Sequence, residues 1–389
     1  VNGHGSSAVE QSTSRVIVYV PRVLPLSLTF VLDQTTGLRR WLPELVGRER
    51  CTDGLDVEHV LAPEMRAAVH HRSPVRSAVG AVTRRAPALR VAVSRSAPDL
   101  IHAHFLTGGF DVLATLRTPP CPLVVTAHGF DATWFGTPLR TGQPQQWLHG
   151  ALRRRLLRRP IHFVAVSQFI RDELVRLGAD PAHVVVHHTG VDTGYFTPPP
   201  PTADRYGLLF VGRLVAKKGI LDLLEAVARL KDRGIQVPLE IIGEGPERDA
   251  IERFIERRRV AVTLRGAQPR HEVRAAMRRA AILCAPSRTG PTGDREGFGM
   301  VLAEAQATGL SVIASASGGM VDAVDDARTG LLVPEGDPDA LAHALGRCLS
   351  DDDLRARLGR AARPWVLDHF DLARQNALLE ERYDAWARW

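Results

Sequence analysis

Two carboxylates eight positions apart, Glu296 and Glu304, lie in Asp294-Arg-Glu-Gly-Phe-Gly-Met-Val-Leu-Ala-Glu-Ala-Gln-Ala-Thr-Gly309. Glu296 opens a glycine-flanked turn. Glu304 lies in a helical run where Met300, Val301, Leu302, Ala303 and Ala305 surround it, the pattern of a helix buried in a sheet domain. A carboxylate there is costly unless something specific binds it. Sugar and ribose hydroxyls are suitable partners. The free N–H groups of Gly297, Phe298 and Gly299 at the helix start suit an anion. Carboxylates beside an anion-binding helix end point to a nucleotide sugar. The competing explanation is a surface pair between Glu296 and Arg295, and Glu-x7-Glu alone recurs by chance. The Gly-Phe-Gly turn and the apolar setting of Glu304 favour the binding reading.

A second constellation, Phe210-Val-Gly212-Arg213-Leu-Val-Ala-Lys217-Lys218-Gly219, follows a strand pattern. The chain has only three lysines, Lys217, Lys218 and Lys231, and two of them are here. A compact ammonium retained where arginine is otherwise the rule fits a phosphate oxygen; the alternative is a solvated basic loop. Ile242-Gly243-Glu244-Gly245-Pro246 ends a strand in a turn that either touches a nucleotide or only reverses the chain. In the first half, Thr126-Ala-His128-Gly129-Phe-Asp131 falls at a strand's carboxyl end. His128 there can donate to a leaving phosphate or a sugar hydroxyl, and Asp131 can orient His128 or bind a sugar. With fifteen histidines in the chain, a structural role is the default for any one of them. His102 and His104 share a strand face without making a metal site.

The 389 residues suggest two domains, and 44% hydrophobic with 24% charged residues describes a globular chain. The net charge of +7 is almost all arginine, a chain-wide bias, and no helix-turn-helix, finger or aromatic RNA-binding signature accompanies it, so no nucleic-acid partner is expected. Cys51, Cys121, Cys284 and Cys348 lack C-x-x-C spacing, so a cytoplasmic location without disulfide or zinc frameworks is expected. No run has the length of a membrane span, and residues 1–14 read as a disordered polar arm rather than a signal peptide. Leu152-Arg-Arg-Arg-Leu-Leu-Arg-Arg159 reads as a solvated helix or, through Arg153–Arg159, a weak contact with an anionic membrane.

Short β-rich runs alternate with longer amphipathic ones, which calls for parallel sheets covered by helices. Strands are expected at Val16–Val20, Leu100–His104, Leu123–Ala127, His162–Val166 and Val184–His187. Prolines 198–201 interrupt the pattern. It restarts at Leu208–Val211, a helix Ile220–Leu230, and strands Leu239–Ile242, Val262–Leu264, Ile282–Ala285, Ser311–Ala314 and Leu331–Val333. Asp337 and Pro338 read as the cap and first residue of a helix, and two or more helices fill Asp351–Trp389. The expected units are an N-terminal domain over 15–195, a C-terminal domain over 196–369 and a terminal segment over 370–389.

Together these residues resemble the retaining GT-B glycosyltransferases of the GT4 type, in order of elements from about Val16 to Phe370. Gly212-Arg213-(x4)-Lys218-Gly219 is similar to that family's diphosphate turn, Glu296-Gly-Phe-Gly299…Glu304-Ala to its Glu-x7-Glu motif, and His128-Gly-Phe-Asp131 to its His-Gly-x-Asp. The resemblance implies an α/β GT-B fold: two Rossmann-like domains with parallel sheets facing across an interdomain crevice, and a terminal helix crossing back to the first domain. It implies that Arg213 and Lys218 neutralise the donor pyrophosphate and that Glu296 binds sugar hydroxyls. Gly297, Phe298 and Gly299 would hold sugar and phosphate through their amides, and Glu304 would hold the ribose. By the same resemblance Gly212, Gly245 and Met300 would complete the donor side. His128 would sit beside the anomeric carbon, with Ser27 and Asp131 on the acceptor side. Transfer would be retaining and would need no metal, because cationic side chains and a helix end would supply the electrostatics. Three departures stand out: Pro25-Leu-Ser27-Leu-Thr-Phe30 in place of a Gly-Gly loop, Thr189-Gly-Val-Asp192 for Asn-Gly-Val-Asp, and Gly318-Gly-Met-Val-Asp322 for Gly-Gly-x-Pro-Glu.

The expected function is transfer of a hexose, glucose or N-acetylglucosamine, from a UDP-sugar to a hydroxyl of a small polar metabolite such as an aminocyclitol or antibiotic precursor. A lipid-linked saccharide is the alternative acceptor. A nucleotide-sugar epimerase or phosphorylase and a non-enzymatic nucleotide-sugar sensor are the readings from other classes.

Overall fold

Runs such as Leu-Ile-His-Ala-His, Leu-Val-Val-Thr-Ala and Ile-Leu-Cys-Ala are buried along their whole length. Strands buried on both faces belong in parallel sheets with helices on either side. A computed structural model of the chain, describing residues 14–23, 29–50, 67–69, 84–133, 152–200 and 202–388, contains two such sheets. The first has β1 (Arg15–Val23), β2 (Leu42–Arg50), β3 (Ala67–Val69), β4 (Leu100–His104), β5 (Leu123–Ala127), β6 (His162–Ala165) and β7 (Val184–Val186). The second has β8 (Leu208–Val211), β9 (Leu239–Ile242), β10 (Val262–Leu264), β11 (Ile282–Ala285), β12 (Ser311–Ser315) and β13 (Gly330–Val333).

The orders are β3-β2-β1-β4-β5-β6-β7 and β10-β9-β8-β11-β12-β13, with every pairing parallel. Each sheet therefore reverses strand order once, at β1/β4 and at β8/β11. Ligands of open α/β sheets bind at the carboxyl ends beside such a switch point. His104 ends β4, His128 follows β5 and Gly212 follows β8, so both sheets bring their candidate residues to that edge.

The strands expected from the sequence are present; β4, β5, β8, β9, β10 and β11 have the expected bounds, and the others differ at an end by one residue or more. The helix from Ile220 runs on to Asp232, and Asp337 caps its helix by accepting from the N–H groups of Asp339 and Ala340. β2 and β3 were not anticipated. Pro43, Gly47 and the charges of β2 argue against a strand, but its register with β1 from Arg15↔Leu42 to Val23↔Arg50 overrides that propensity. Pro43 is tolerated because β3 pairs only with Leu45–Gly47. Residues 1–13 of the proposed arm, and Ser27, lie outside the described residues.

Residues 152–159 show why that segment is no membrane face. Leu156 and Leu157 are buried in the core, Arg153 is buried and donates from Nη1 to the Ala132 carbonyl at 2.8 Å, and Arg154, Arg155, Arg158 and Arg159 are exposed. The apolar side that a bilayer requires is turned into the protein. Among the described residues no helix is long and apolar enough to cross a membrane.

The last helix, Leu372–Ala387, packs on the first sheet. Tyr383 meets Trp41 edge-on at 5.3 Å, and Trp386 stacks on His162 at 5.0 Å. Glu380, 2% exposed, anchors it: Oε1 accepts the N–H groups of Arg39, Arg40 and Trp41 at 2.7, 2.6 and 3.0 Å. Removing that acceptor strands three donors, all on the run leading into β2. Glu380→Ala is expected to cost about 3 kcal/mol, read as a lowered urea midpoint, and Glu380→Gln less. An unchanged midpoint for the alanine variant would show that the anchor is dispensable.

Candidate active site

The turn after β8 is tied to the turn after β9. Gly212 N–H donates to Ile242 O at 3.0 Å and Leu214 N–H to Glu244 O at 2.9 Å. A short 3₁₀ turn, Ala216–Lys218, then projects the two lysines. Both reach Glu296: Lys217 Nζ lies 3.3 Å from Oε1 and Lys218 Nζ 3.1 Å from Oε2, and Lys217 also sits 3.4 Å from Asp294. The Glu296 side chain is only 13% exposed. Burial pushes its acid upward, but Lys218 and Lys217 outweigh that and hold it at about 2. Arg213 is exposed and has no ion-pair partner among the described residues.

Gly299 (φ 89°) starts the Met300–Ala307 helix with no side-chain cap. Among the described residues the N–H groups of Gly297, Phe298 and Gly299 donate to no acceptor. The Phe298 ring is turned inward, stacked on His188 at 5.4 Å and edge-on to Phe370 at 5.0 Å. Only its backbone is available to a ligand. Glu304, one turn into the helix, has no hydrogen-bond or ion-pair partner among the described residues. Burial pushes its carboxyl up to about 7, against the pull of Arg270 and with the push of Asp33. Those two residues form a fork across the crevice mouth, Arg270 Nη2 to Asp33 Oδ2 at 2.8 Å and Nη1 to Oδ1 at 3.2 Å, with the guanidinium 4.7 Å from the Tyr195 ring centre.

From the other side comes His128. Its ring lies against Phe105 at 4.6 Å and Phe30 at 5.1 Å, and its Nε2 is 2.9 Å from His104 Nδ1. Burial, then neighbouring His102, lowers it to about 3, so it is a neutral imidazole. The backbones of the two halves touch here: a Cβ on Gly297 would collide with the His128 carbonyl oxygen. Glu296 and His128 thus stand on adjoining loops.

Asp131 is not placed to touch an acceptor. It is 0% exposed, and its oxygens accept from His128 N (3.1 Å), Gly129 N (2.9 Å) and Leu106 N (2.9 Å). That correction has a local cause: Phe105 takes φ 66°, unusual for a bulky residue, and Asp131 secures the turn beside it. Gly245 packs its backbone against Leu214, and Met300 begins the helix at the crevice. His102 is used up by Tyr383 Oη (2.5 Å) on Nδ1 and Thr126 Oγ1 (2.6 Å) on Nε2. Among the described residues no cluster of three or more metal-ligating side chains occurs. The sequence reading passed over Lys217 and Asp294 as partners of Glu296, and the Asp33–Arg270 fork. The two lysines in sequence were the visible signal for Lys217; the fork joins residues too distant in the chain to be seen.

Two sheets in reversed-order topology facing one crevice define a GT-B architecture. Residues 195–365 match Glycosyl transferases group 1, and residues 50–195 match Glycosyltransferase Family 4. The chain belongs to this family of group 1, GT4-type glycosyltransferases. It is 33% identical to the GDP-mannose-dependent alpha-(1-6)-phosphatidylinositol monomannoside mannosyltransferase of Mycolicibacterium smegmatis, over 67% of this chain and 69% of that one. It is 31% identical to D-inositol 3-phosphate glycosyltransferase of Salinispora arenicola, over 77% and 74%. Similarity to WcaL of Escherichia coli K12, named for colanic acid biosynthesis, is 33% identity over 54% of this chain, which spans about half (53%) of that relative's length. Among solved structures, Anabaena HepE in complex with UDP superposes with a TM-score of 0.75 at 19% identity, over 96% of this chain and 100% of that one, a likeness of fold.

The lysine clamp makes a stability prediction. Glu296 is depressed from 4.5 to about 2, so its ionised form stabilises the fold fully above pH 4.5, and that contribution is lost as pH falls toward 2. Glu296→Gln is expected to flatten the acid limb of stability between those values, measured by denaturant midpoints across pH. An acid limb identical to the wild type would mean that the clamp adds nothing.

Proposed function

We propose that the protein is a retaining hexosyltransferase that moves glucose or N-acetylglucosamine from a UDP-sugar to a hydroxyl of a small polar metabolite of the aminocyclitol type. The observation that carries the donor half is the arrangement around Glu296: two ammonium groups on one side and three unused backbone N–H groups on the other. An incoming diphosphate competes with Glu296 for Lys218, and Arg213 adds a second cation at the open end of the turn. Glu296, released from Lys218, turns its oxygens to the sugar hydroxyls. Glu304, without a partner, takes the ribose. Gly212 and Gly245 let the turns approach the nucleotide, with Met300 at the helix start. The choice of UDP is supported by Anabaena HepE, whose structures carry UDP and UDP-glucose; the mannosyltransferase relative is GDP-mannose-dependent. A cyclitol acceptor is supported by the D-inositol 3-phosphate glycosyltransferase. The acceptor enters from the first domain, past His128.

In the chemistry we propose, the acceptor oxygen bonds to the anomeric carbon on the face from which the sugar–phosphate bond breaks. The leaving phosphate takes the acceptor's proton, which accounts for retention without a protein base. Lys218, Arg213 and the helix-start amides stabilise the charge that develops on that phosphate. No step requires a metal.

Calorimetric titration with UDP, GDP and ADP, then with the glucose and N-acetylglucosamine conjugates, tests the donor. UDP is expected to bind best. Lys218→Ala should weaken UDP roughly tenfold to a hundredfold, whereas Glu296→Ala should spare UDP and lose the gain from the sugar. An ionised Glu304 offers both oxygens as strong acceptors to two ribose hydroxyls, a protonated one gives up one of them, and its carboxyl lies at about 7. UDP-glucose, whose diphosphate does not titrate near 7, should therefore bind more tightly as pH climbs through 7 and level off above it, and Glu304→Gln should remove the trend. Absence of binding to any of the three nucleotides would sink the donor assignment.

A further inference from the structure

His104 takes no part in the reading above, yet its Nδ1 lies 2.9 Å from His128 Nε2. It is 1% exposed, and its other nitrogen, Nε2, is buried with no hydrogen-bond partner among the described residues. The strand register explains the meeting: His104 on β4 is paired with Thr126 on β5, two residues before His128. The three rings of His102, His104 and His128 follow one another near-parallel, His102 stacked on His104 at 4.6 Å (24°) and His104 edge-to-edge with His128 at 5.2 Å (18°). The first of them is clamped at both nitrogens by Tyr383 and Thr126.

Burial holds both His104 and His128 in the neutral form. Two neutral imidazoles joined by one hydrogen bond have two arrangements. If His128 donates from Nε2, His104 must carry its own proton on Nε2, an N–H sealed in the interior with no acceptor among the described residues. If His104 donates from Nδ1, its Nε2 is only a bare lone pair. A buried orphan N–H is the rarer and costlier state. The geometry points to the second arrangement: His104 is a positioning residue that donates Nδ1–H to His128 Nε2 and so fixes the His128 proton on Nδ1. Nδ1 is the nitrogen left for a ligand. His128 then presents an N–H, suited to a sugar hydroxyl or phosphate oxygen, and has no lone pair on that nitrogen to act as a general base. This deepens the proposed function and rests on it for the identity of the ligand, but the tautomer itself does not depend on any ligand.

Nitrogen-15 NMR of histidine-labelled full-length protein tests it, with the His128 signals assigned by their loss in His128→Gln. The wild type is expected to show protonated Nδ1 and hydrogen-bonded, unprotonated Nε2 at His128. His104→Phe keeps a ring in the stack and removes the donor. It should shift the His128 proton toward Nε2 and lower kcat roughly tenfold to a hundredfold, with the UDP dissociation constant unchanged. His104→Asn restores a donor near the Nδ1 position and should recover most of the turnover. A His128 proton on Nε2 in the wild type, or one that stays on Nδ1 in a folded His104→Phe variant, overturns the assignment. Failure to bind nucleotide sugars would defeat the functional reading instead, and the NMR result would still decide the tautomer.

Discussion

The structure turns on a backbone contact between its two halves. Gly297 comes so close to the His128 carbonyl that no side chain fits at position 297, and a Cβ at Gly129 would in turn press on Gly297 N at 2.9 Å. Neither loop belongs to a regular element; each is the exit of a strand in a different sheet. Pressing those exits together turns two open sheets into one crevice and places Glu296 beside His128. The surrounding bonds keep the contact in register: Arg295 N–H donates to Thr133 Oγ1 at 3.0 Å, and Gln168 N–H to Asp322 Oδ2 at 2.7 Å. The Asp33–Arg270 fork closes the far side.

Charge in this crevice is arranged so that a ligand completes it. Glu296 is paired, and its two lysines overcome the penalty of burial. Glu304 is equally removed from water but unpaired, and its carboxyl moves in the opposite direction. Both carboxylates share one helix-and-turn segment, so the difference arises wholly from partners. A buried ion pair of this kind is weak evidence of stabilisation, because desolvation opposes the Coulombic gain. In the proposed function its value lies in holding two ammonium groups at low entropy where a diphosphate would exchange for Glu296.

Much of this was legible in the sequence where chemistry and local pattern coincide. Apolar runs such as Leu208–Val211 and Ile282–Ala285 name their strands because parallel strands buried on both faces need no alternation. Gly212, Lys218, Glu296 and Glu304 were visible because their types are out of keeping with their surroundings. β2 was hidden because its Pro43 and its charges satisfy neither strand propensity nor alternation; pairing with β1 alone decides it. Of the two roles expected for Asp131, the structure supports securing the His128 turn and not reaching an acceptor, for a related reason. A carboxylate near a histidine looks like chemistry, and only the three-dimensional turn shows three backbone N–H groups converging on it. The Glu380 anchor joins residues some 340 positions apart and leaves no local trace.

The histidine series shows how a long-range contact reaches the site. Tyr383 belongs to the last helix, which Glu380 fixes to the start of β2, and its hydroxyl meets His102 on β4. His102 stacks on His104, and His104 bonds His128. Each ring is too buried to carry charge, so none of them competes with Arg213, Lys217 and Lys218 for an anion. On the proposed function the cations would handle the phosphate, leaving the neutral imidazoles to orient one another and offer a directed N–H. Burial therefore separates the two kinds of basic residue, and the final helix, through Tyr383 on His102, sets the packing on which the imidazoles rest.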